Sequence, residues 1–122
     1  MPLFSPEQVQ KILSQLVGHF HDTYPKEAVG VILKDGSVMR FRNWSSDPDR
    51  FLVLPVSLIW SLGWSAYWRG TGIQAVYHSH RQGTSPSETD QVFMQRSARV
   101  WPHVNHLIFN PDGSFQTWEL PR

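Results

Sequence analysis

The sequence predicts a single α/β domain, and three observations predict it. Runs with the spacing of an amphipathic helix alternate along the chain with short β-rich runs. Two pairs of β-rich runs are joined by Asp-Gly turns, at Asp35-Gly36 and Asp112-Gly113. The chain has 122 residues and is 40% hydrophobic, with six Trp, seven Phe and three Tyr, which is enough to close one packed core. No repeat, linker or low-complexity segment divides it, so residues 1–122 read as one domain.

Ser5-Pro6-Glu7-Gln8 opens the first helix. Ser5 caps it, Pro6 fits the first helical position and Gln8 completes a capping box. Val9, Ile12, Leu13, Leu16, Val17 and Phe20 follow as one apolar face, and Pro25 stops continuation, so the helix ends within residues 21–24. Residues 28–33 form an apolar strand, residues 34–37 a tight hairpin turn and residues 38–44 the returning strand. Residues 45–50 are a polar loop around Asp47-Pro48, and residues 51–54 suit a short strand.

Pro55 opens a second helix. Val56, Ile59, Trp60, Gly63, Trp64, Tyr67 and Trp68 keep helical spacing there, while Leu58, Leu62 and Ala66 make the other side apolar too. The stripe of Trp60, Trp64 and Trp68 suits either a docked partner or packing on the sheet. Stripes at this spacing are usually core, so the helix is read as covered. Residues 70–72 end it, and residues 73–78 return as a strand. Residues 81–86 are a polar loop, and a third helix starts at Ser87-Glu88-Thr89-Asp90 and runs to about residue 100. Residues 104–109 and 114–120 are strands separated by a turn over residues 110–113.

A net charge of +1 leaves no electrostatic footprint for nucleic acid. No apolar run approaches the ~20 residues of a membrane span. The first residues lack the basic and apolar regions of a signal peptide, so a soluble cytoplasmic protein is expected. There is no cysteine, which excludes disulfides, a thiol nucleophile and any Cys-based zinc site. A zinc deaminase, which needs a Cys-x-x-Cys, is set aside for the same reason.

The chemistry gathers at the end of the strand over residues 73–78. Side chains two apart in a strand share a face, so His78 and His80 can present two imidazoles to one point. Asp90 follows just inside a helix start. Two imidazoles and a carboxylate suit zinc, and three protein ligands leave a fourth position for water, as in catalytic sites. Asp90 also has a structural reading. Ser87-x-x-Asp90 resembles a capping box with the acid at the positive end of a helix. Spacing alone favours that reading, although a first-turn Asp can serve both purposes. Glu27 precedes an apolar strand, where a solvated acid is the default, yet hydrolysis by an activated water needs a general base. His19 and His21 lie at a helix end, where residues two apart do not share a face, and are read as structural. His103 and His106 are read as surface or core residues ahead of spare ligands or substrate contacts.

Glu27-Ala28-Val29-Gly30, His78-Ser79-His80 and Ser87-Glu88-Thr89-Asp90, in this order, resemble the signature of the JAMM (MPN-plus) metalloproteases: a Glu, a His-x-His and a Ser-x-x-Asp. The His-Ser-His tripeptide and Pro86-Ser87 look like compact prokaryotic members, and the resemblance covers nearly the whole chain. It implies a mixed, curved sheet flanked by helices, layered as in the deaminases, with zinc at the sheet end. His78, His80 and Asp90 would bind the zinc. Glu27 would be the general base that moves a proton from the attacking water to the leaving amine, and Ser87 would donate to the tetrahedral oxyanion. The substrate implied is a peptide or isopeptide bond at the flexible tail of a ubiquitin-like or sulfur-carrier protein, docked by strand addition. No oligomeric state is implied. Compact members also include phage-tail or cell-wall-associated peptidases. A metal-free scaffold of the same fold is the remaining alternative, but such relatives lose ligands that this chain keeps. The sequence departs from the pattern twice. The stretch from His80 to Ser87 is one residue short, and Arg81 stands where a proline commonly follows the second histidine. The intact Ser-x-x-Asp leads us to expect that the loop absorbs the deletion.

Overall fold

The computed structural model describes residues 4–24, 27–41, 72–81, 83–86, 88, 90–92, 94–95 and 104–118. Helix α1 (Pro6–Thr23) starts as its sequence dictates. Ser5 Oγ accepts from the Gln8 amide at 3.2 Å, and Gln8 Oε1 accepts from the Ser5 amide at 2.9 Å. A cap of this kind typically stabilises a helix by about 1 kcal/mol. The helix closes at Tyr24, whose N–H still reaches the Phe20 carbonyl. Ile12, Leu16, His19 and Phe20 form its buried face. Each fully buried large apolar side chain there contributes roughly 1.5–3 kcal/mol, which is what docks the helix.

Among the described residues five strands form the sheet: β1 (Val29–Leu33), β2 (Val38–Phe41), β3 (Ile73–Ser79), β4 (Asn105–Phe109) and β5 (Phe115–Trp118), in the spatial order β2-β1-β3-β4-β5. Neighbours are antiparallel except β3 and β4, so the sheet is mixed, as expected. The two hairpins turn at Gly36 and Gly113, both at φ 90°, a conformation open to a residue without Cβ. In each turn the preceding Asp carboxylate accepts from the Ser amide two residues on, Asp35 from Ser37 and Asp112 from Ser114. A parallel pair cannot be joined by a hairpin. The connection from β3 to β4 contains helical residues at Glu88, Asp90, Gln91, Val92, Met94 and Gln95, which agrees with the third helix of the sequence reading.

β1 and β3 are buried along their whole length. Ala28, Ile32, Ala75, Tyr77, Leu107 and Phe109 form the sheet's contribution to the core under α1. Val29, Val31, Leu33 and Val76 belong to a second cluster on the other face. Gly30 is required by its neighbours. A Cβ there would run into the Met39 carbonyl and lie 2.6 Å from Tyr77 Oη. The tyrosine thus crosses the glycine and reaches α1, where Tyr77 Oη lies 2.6 Å from His19 Nδ1.

Among the described residues no helix is long and apolar enough to cross a membrane. The expected strand over residues 51–54, the second helix with Trp60, Trp64 and Trp68, the far end of the third helix, His103 and Ser87 all lie outside the described residues.

Candidate metal centre

The end of β3 aims two imidazoles at one point. His78 pairs with Val29 on one side and Ile108 on the other, and its alternation with Tyr77 turns its ring away from α1. His80 lies just beyond the strand. Its N–H donates to the Phe109 carbonyl at 2.9 Å, which prolongs the β3–β4 pairing and keeps the ring on the His78 side. The two Nε2 atoms are 3.2 Å apart. Asp90, at the start of the helical residues, completes the cluster. Its Oδ2 lies 2.9 Å from His80 Nε2 and 3.2 Å from His78 Nε2. The one-residue deletion therefore does not keep the carboxylate from the histidines.

His78 is 1% exposed and Asp90 2%, while the His80 side chain keeps 15%, so the cluster is buried but open on the His80 side. Among the described residues these three form the one group of metal-ligating side chains close enough to hold an ion. The donor set fits zinc. Bonds of about 2.0–2.1 Å place neighbouring corners of a zinc tetrahedron roughly 3.3 Å apart. The observed separations of 2.9–3.2 Å are close to that edge. Two imidazole nitrogens and a carboxylate oxygen facing one another also bring together more lone pairs than protons, and a cation satisfies such a group better than hydrogen bonds among its members do.

Burial lowers the basicity of His80, but the hydrogen bond and charge of Asp90, the charge of Glu27 and a backbone hydrogen bond to Gly83 outweigh it, and the net pKa is raised. Before a metal binds, a proton competes for this nitrogen. The Gly83 contact explains how the short loop works. Gly83 adopts φ 71°, which turns the chain back so that its backbone meets the His80 ring. Asn110, from the β4–β5 turn, pins the same loop. The two carbonyls facing its amide require the nitrogen there, and Nδ2 then donates to Gly83 O at 2.9 Å and His80 O at 3.0 Å, while Oδ1 accepts from Ser114 Oγ. Sequence reading saw Asn110 only as a turn residue, since nothing in its spacing points to the loop over residues 81–86.

Glu27 lies at the entry to β1, next to Ala28, which pairs with Ser79 between the two histidines. Its Oε2 is buried and its charge acts on His80. Ser87, the expected oxyanion donor and the capping partner of Asp90, lies outside the described residues. His106 is a core histidine of β4 beside His78, held neutral at a pKa of about 4 by burial and then by the charge of His78. His19 is likewise a core residue and His21 a surface one.

Comparison with known proteins places this geometry. A family model described as prokaryotic homologs of the JAB domain, Prok-JAB, matches residues 9–120. The chain belongs to the Prok-JAB family. Two solved structures share the Prok-JAB chain's fold. The solution structure of protein DSY2949 from Desulfitobacterium hafniense aligns with a TM-score of 0.63 at 15% identity, over 92% of this chain and 88% of that one. A solution structure from Salinibacter ruber (strain DSM 13855) aligns with a TM-score of 0.50 at 20% identity, over 96% of this chain and 80% of that one. At these identities the likeness is one of fold. No curated protein matches. Within this Prok-JAB domain, the His78, His80 and Asp90 cluster is consistent with a JAMM-type active site.

Proposed function

We propose that this Prok-JAB domain is a zinc metallopeptidase of the JAMM type that hydrolyses a peptide or isopeptide bond. The observation that carries the reading is the buried trio of His78 Nε2, His80 Nε2 and Asp90 Oδ2, all within 3.2 Å of one another. Zinc held by these three would lower the pKa of water toward ~7 and polarise the scissile carbonyl. Glu27, beside the cluster, takes the proton of the attacking water and delivers it to the leaving amine. Its partial burial suits a base that must not be levelled by bulk solvent. Ser87 donates a hydrogen bond to the tetrahedral oxyanion, a contribution typically worth about 3 kcal/mol of barrier. No nucleophilic side chain is needed, which agrees with a chain that has no cysteine.

The substrate we propose is the extended C-terminal tail of a ubiquitin-like or sulfur-carrier protein in the cytoplasm, bound by adding a strand to an open sheet edge. A cell-wall or phage-tail peptide would present the same extended backbone, and a panel of substrates separates the two. The deciding experiment is elemental analysis of protein purified without chelator or nickel, followed by hydrolysis of tail fusions. About one zinc per chain is expected. Glu27→Gln should keep the zinc and lose roughly 10²–10⁴-fold in hydrolysis, whereas His80→Ala should lose both. A chain that stays free of zinc after reconstitution would instead be a scaffold of the same fold.

A further inference from the structure

The residue between the two histidines takes no part in the metal cluster, yet it is placed to control the proposed base. Ser79 is 1% exposed and, by the alternation of β3, faces away from His78. Its N–H donates to the Ala28 carbonyl at 2.9 Å, and its Oγ accepts from the Ala28 N–H at 2.8 Å. In an unbroken antiparallel ladder the two members of such a pair exchange bonds through their backbones alone. Here a side-chain hydroxyl serves as the acceptor in that exchange, just where β3 ends and His80 turns off to meet Asp90. Ala28 directly follows Glu27, and Val29 pairs with His78 in the next register position. The peptide that carries Glu27 is thus clamped, through two hydrogen bonds to one residue, to the tripeptide that carries both histidines.

We propose that Ser79 is a positioning residue that fixes the Glu27 carboxylate relative to His78 and His80. This inference rests on the metallopeptidase reading above, but it concerns a different link. The trio can hold zinc without the clamp, while the base has to be in register with it. A base needs to stay within hydrogen-bond reach of its proton, and a misplacement of about 1 Å can cost on the order of 100-fold in rate. The hydroxyl, rather than the size of the side chain, is what the geometry requires. Threonine retains that hydroxyl and is at home in a strand, whereas alanine leaves the buried Ala28 N–H without its acceptor.

The test uses the full chain loaded with zinc. Ser79→Ala and Ser79→Thr are made in the native and the Glu27→Gln backgrounds. Three readouts are followed: zinc content, amide hydrogen exchange at Ala28, and turnover of a ubiquitin-like protein fused through its C-terminal tail to a fluorescent reporter. Ser79→Ala is expected to keep about one zinc per chain, to speed exchange at Ala28, and to lower kcat by roughly 10- to 100-fold with KM little changed. Ser79→Thr should restore both exchange protection and kcat. In the Glu27→Gln background Ser79→Ala should have no further effect on kcat, because the base it positions is already gone. If Ser79→Ala turns over like the native protein, or costs the same with Glu27→Gln as without it, the positioning role is wrong while the metallopeptidase reading stands. Failure to take up zinc, or full activity of Glu27→Gln, overturns that reading and this inference with it.

Discussion

The two faces of β3 each set a histidine in a buried polar contact, and they do opposite things with it. On the α1 face Tyr77 meets His19 at 2.6 Å, and on the other His78 meets His80 and Asp90 at 3.2 Å. Burial does not separate them, since His19 is 2% exposed and His78 1%. The number of partners does. One phenol and one imidazole nitrogen need a single proton between them, and the pair is complete. Three ligand atoms converging on one point have lone pairs to spare, and an ion can use them. The electrostatics follow. Burial, then the charge of Arg40, press His19 down to a pKa of about 4, with Asp22 opposing, whereas Asp90 and Glu27 raise His80 against the effect of burial. A buried histidine is therefore no sign of a metal site until a second and third ligand share its point.

Asp90→Ala should break this contrast most completely. With the carboxylate gone, two neutral imidazoles alone are a poor zinc site, so zinc content should fall from about one per chain to near zero and hydrolysis with it. Far-UV circular dichroism should stay unchanged, because Asp90 lies near the start of its helical residues rather than within the sheet. Zinc retained at full occupancy would mean that another group supplies the third ligand.

Gly30→Ala probes the opposite face, and its expected effect is smaller. The added methyl would meet the Met39 carbonyl, which cannot retreat without loosening the pairing of β1 with β2, and would press on Tyr77 Oη. Overpacking of this kind typically costs 1–3 kcal/mol or somewhat more where backbone is the obstacle, which a urea titration would read as a lower midpoint at about the same slope. Zinc content should not change. If it fell in parallel with stability, the two faces of β3 would be mechanically coupled.

How much of this could be read from the sequence depended on whether the signal was local. α1 was legible because its cap, its proline and its apolar face lie within one stretch, and both hairpins because Asp-Gly dictates a backbone conformation on its own. The pairing of His78 with His80 was legible because a period of two is a property of the strand. Asp90 was ambiguous, since a helix-start acid looks the same whether or not it also turns to a neighbour, and only the structure brings it 2.9 Å from His80. The contacts of Asn110 with the loop, of Ser79 with Ala28 and of Tyr77 with His19 were not legible. They join residues 27 to 58 positions apart along the chain through the order of strands in the sheet, which no local pattern encodes.

The smallest effect, and the one that sharpens the comparison most, concerns the proton between Tyr77 and His19. Burial pushes the Tyr77 phenol above its ordinary range, with the charge of Arg40 opposing, so it keeps its proton. His19 is neutral above a pH of about 4. We read the phenol as the donor and His19 Nδ1 as the acceptor. Tyr77→Phe removes the donor and should cost about 1 kcal/mol at pH 7. The pH dependence follows from the sign of the His19 shift. Its folded pKa lies below its ordinary value of 6.5, so between those values the unfolded chain binds the proton first, and stability declines as pH falls from 6.5 toward 4. Protonated Nδ1 can no longer accept from the phenol. In the folded protein that protonation comes only near pH 4, so the penalty of Tyr77→Phe should hold down to about pH 5 and shrink as pH falls through about 4, measured as the difference in urea midpoints between the two proteins at pH 7 and about pH 3.5. A penalty that stays constant would mean that His19 Nδ1 carries the proton throughout and donates to the tyrosine oxygen, a pair that a second proton on the imidazole leaves intact.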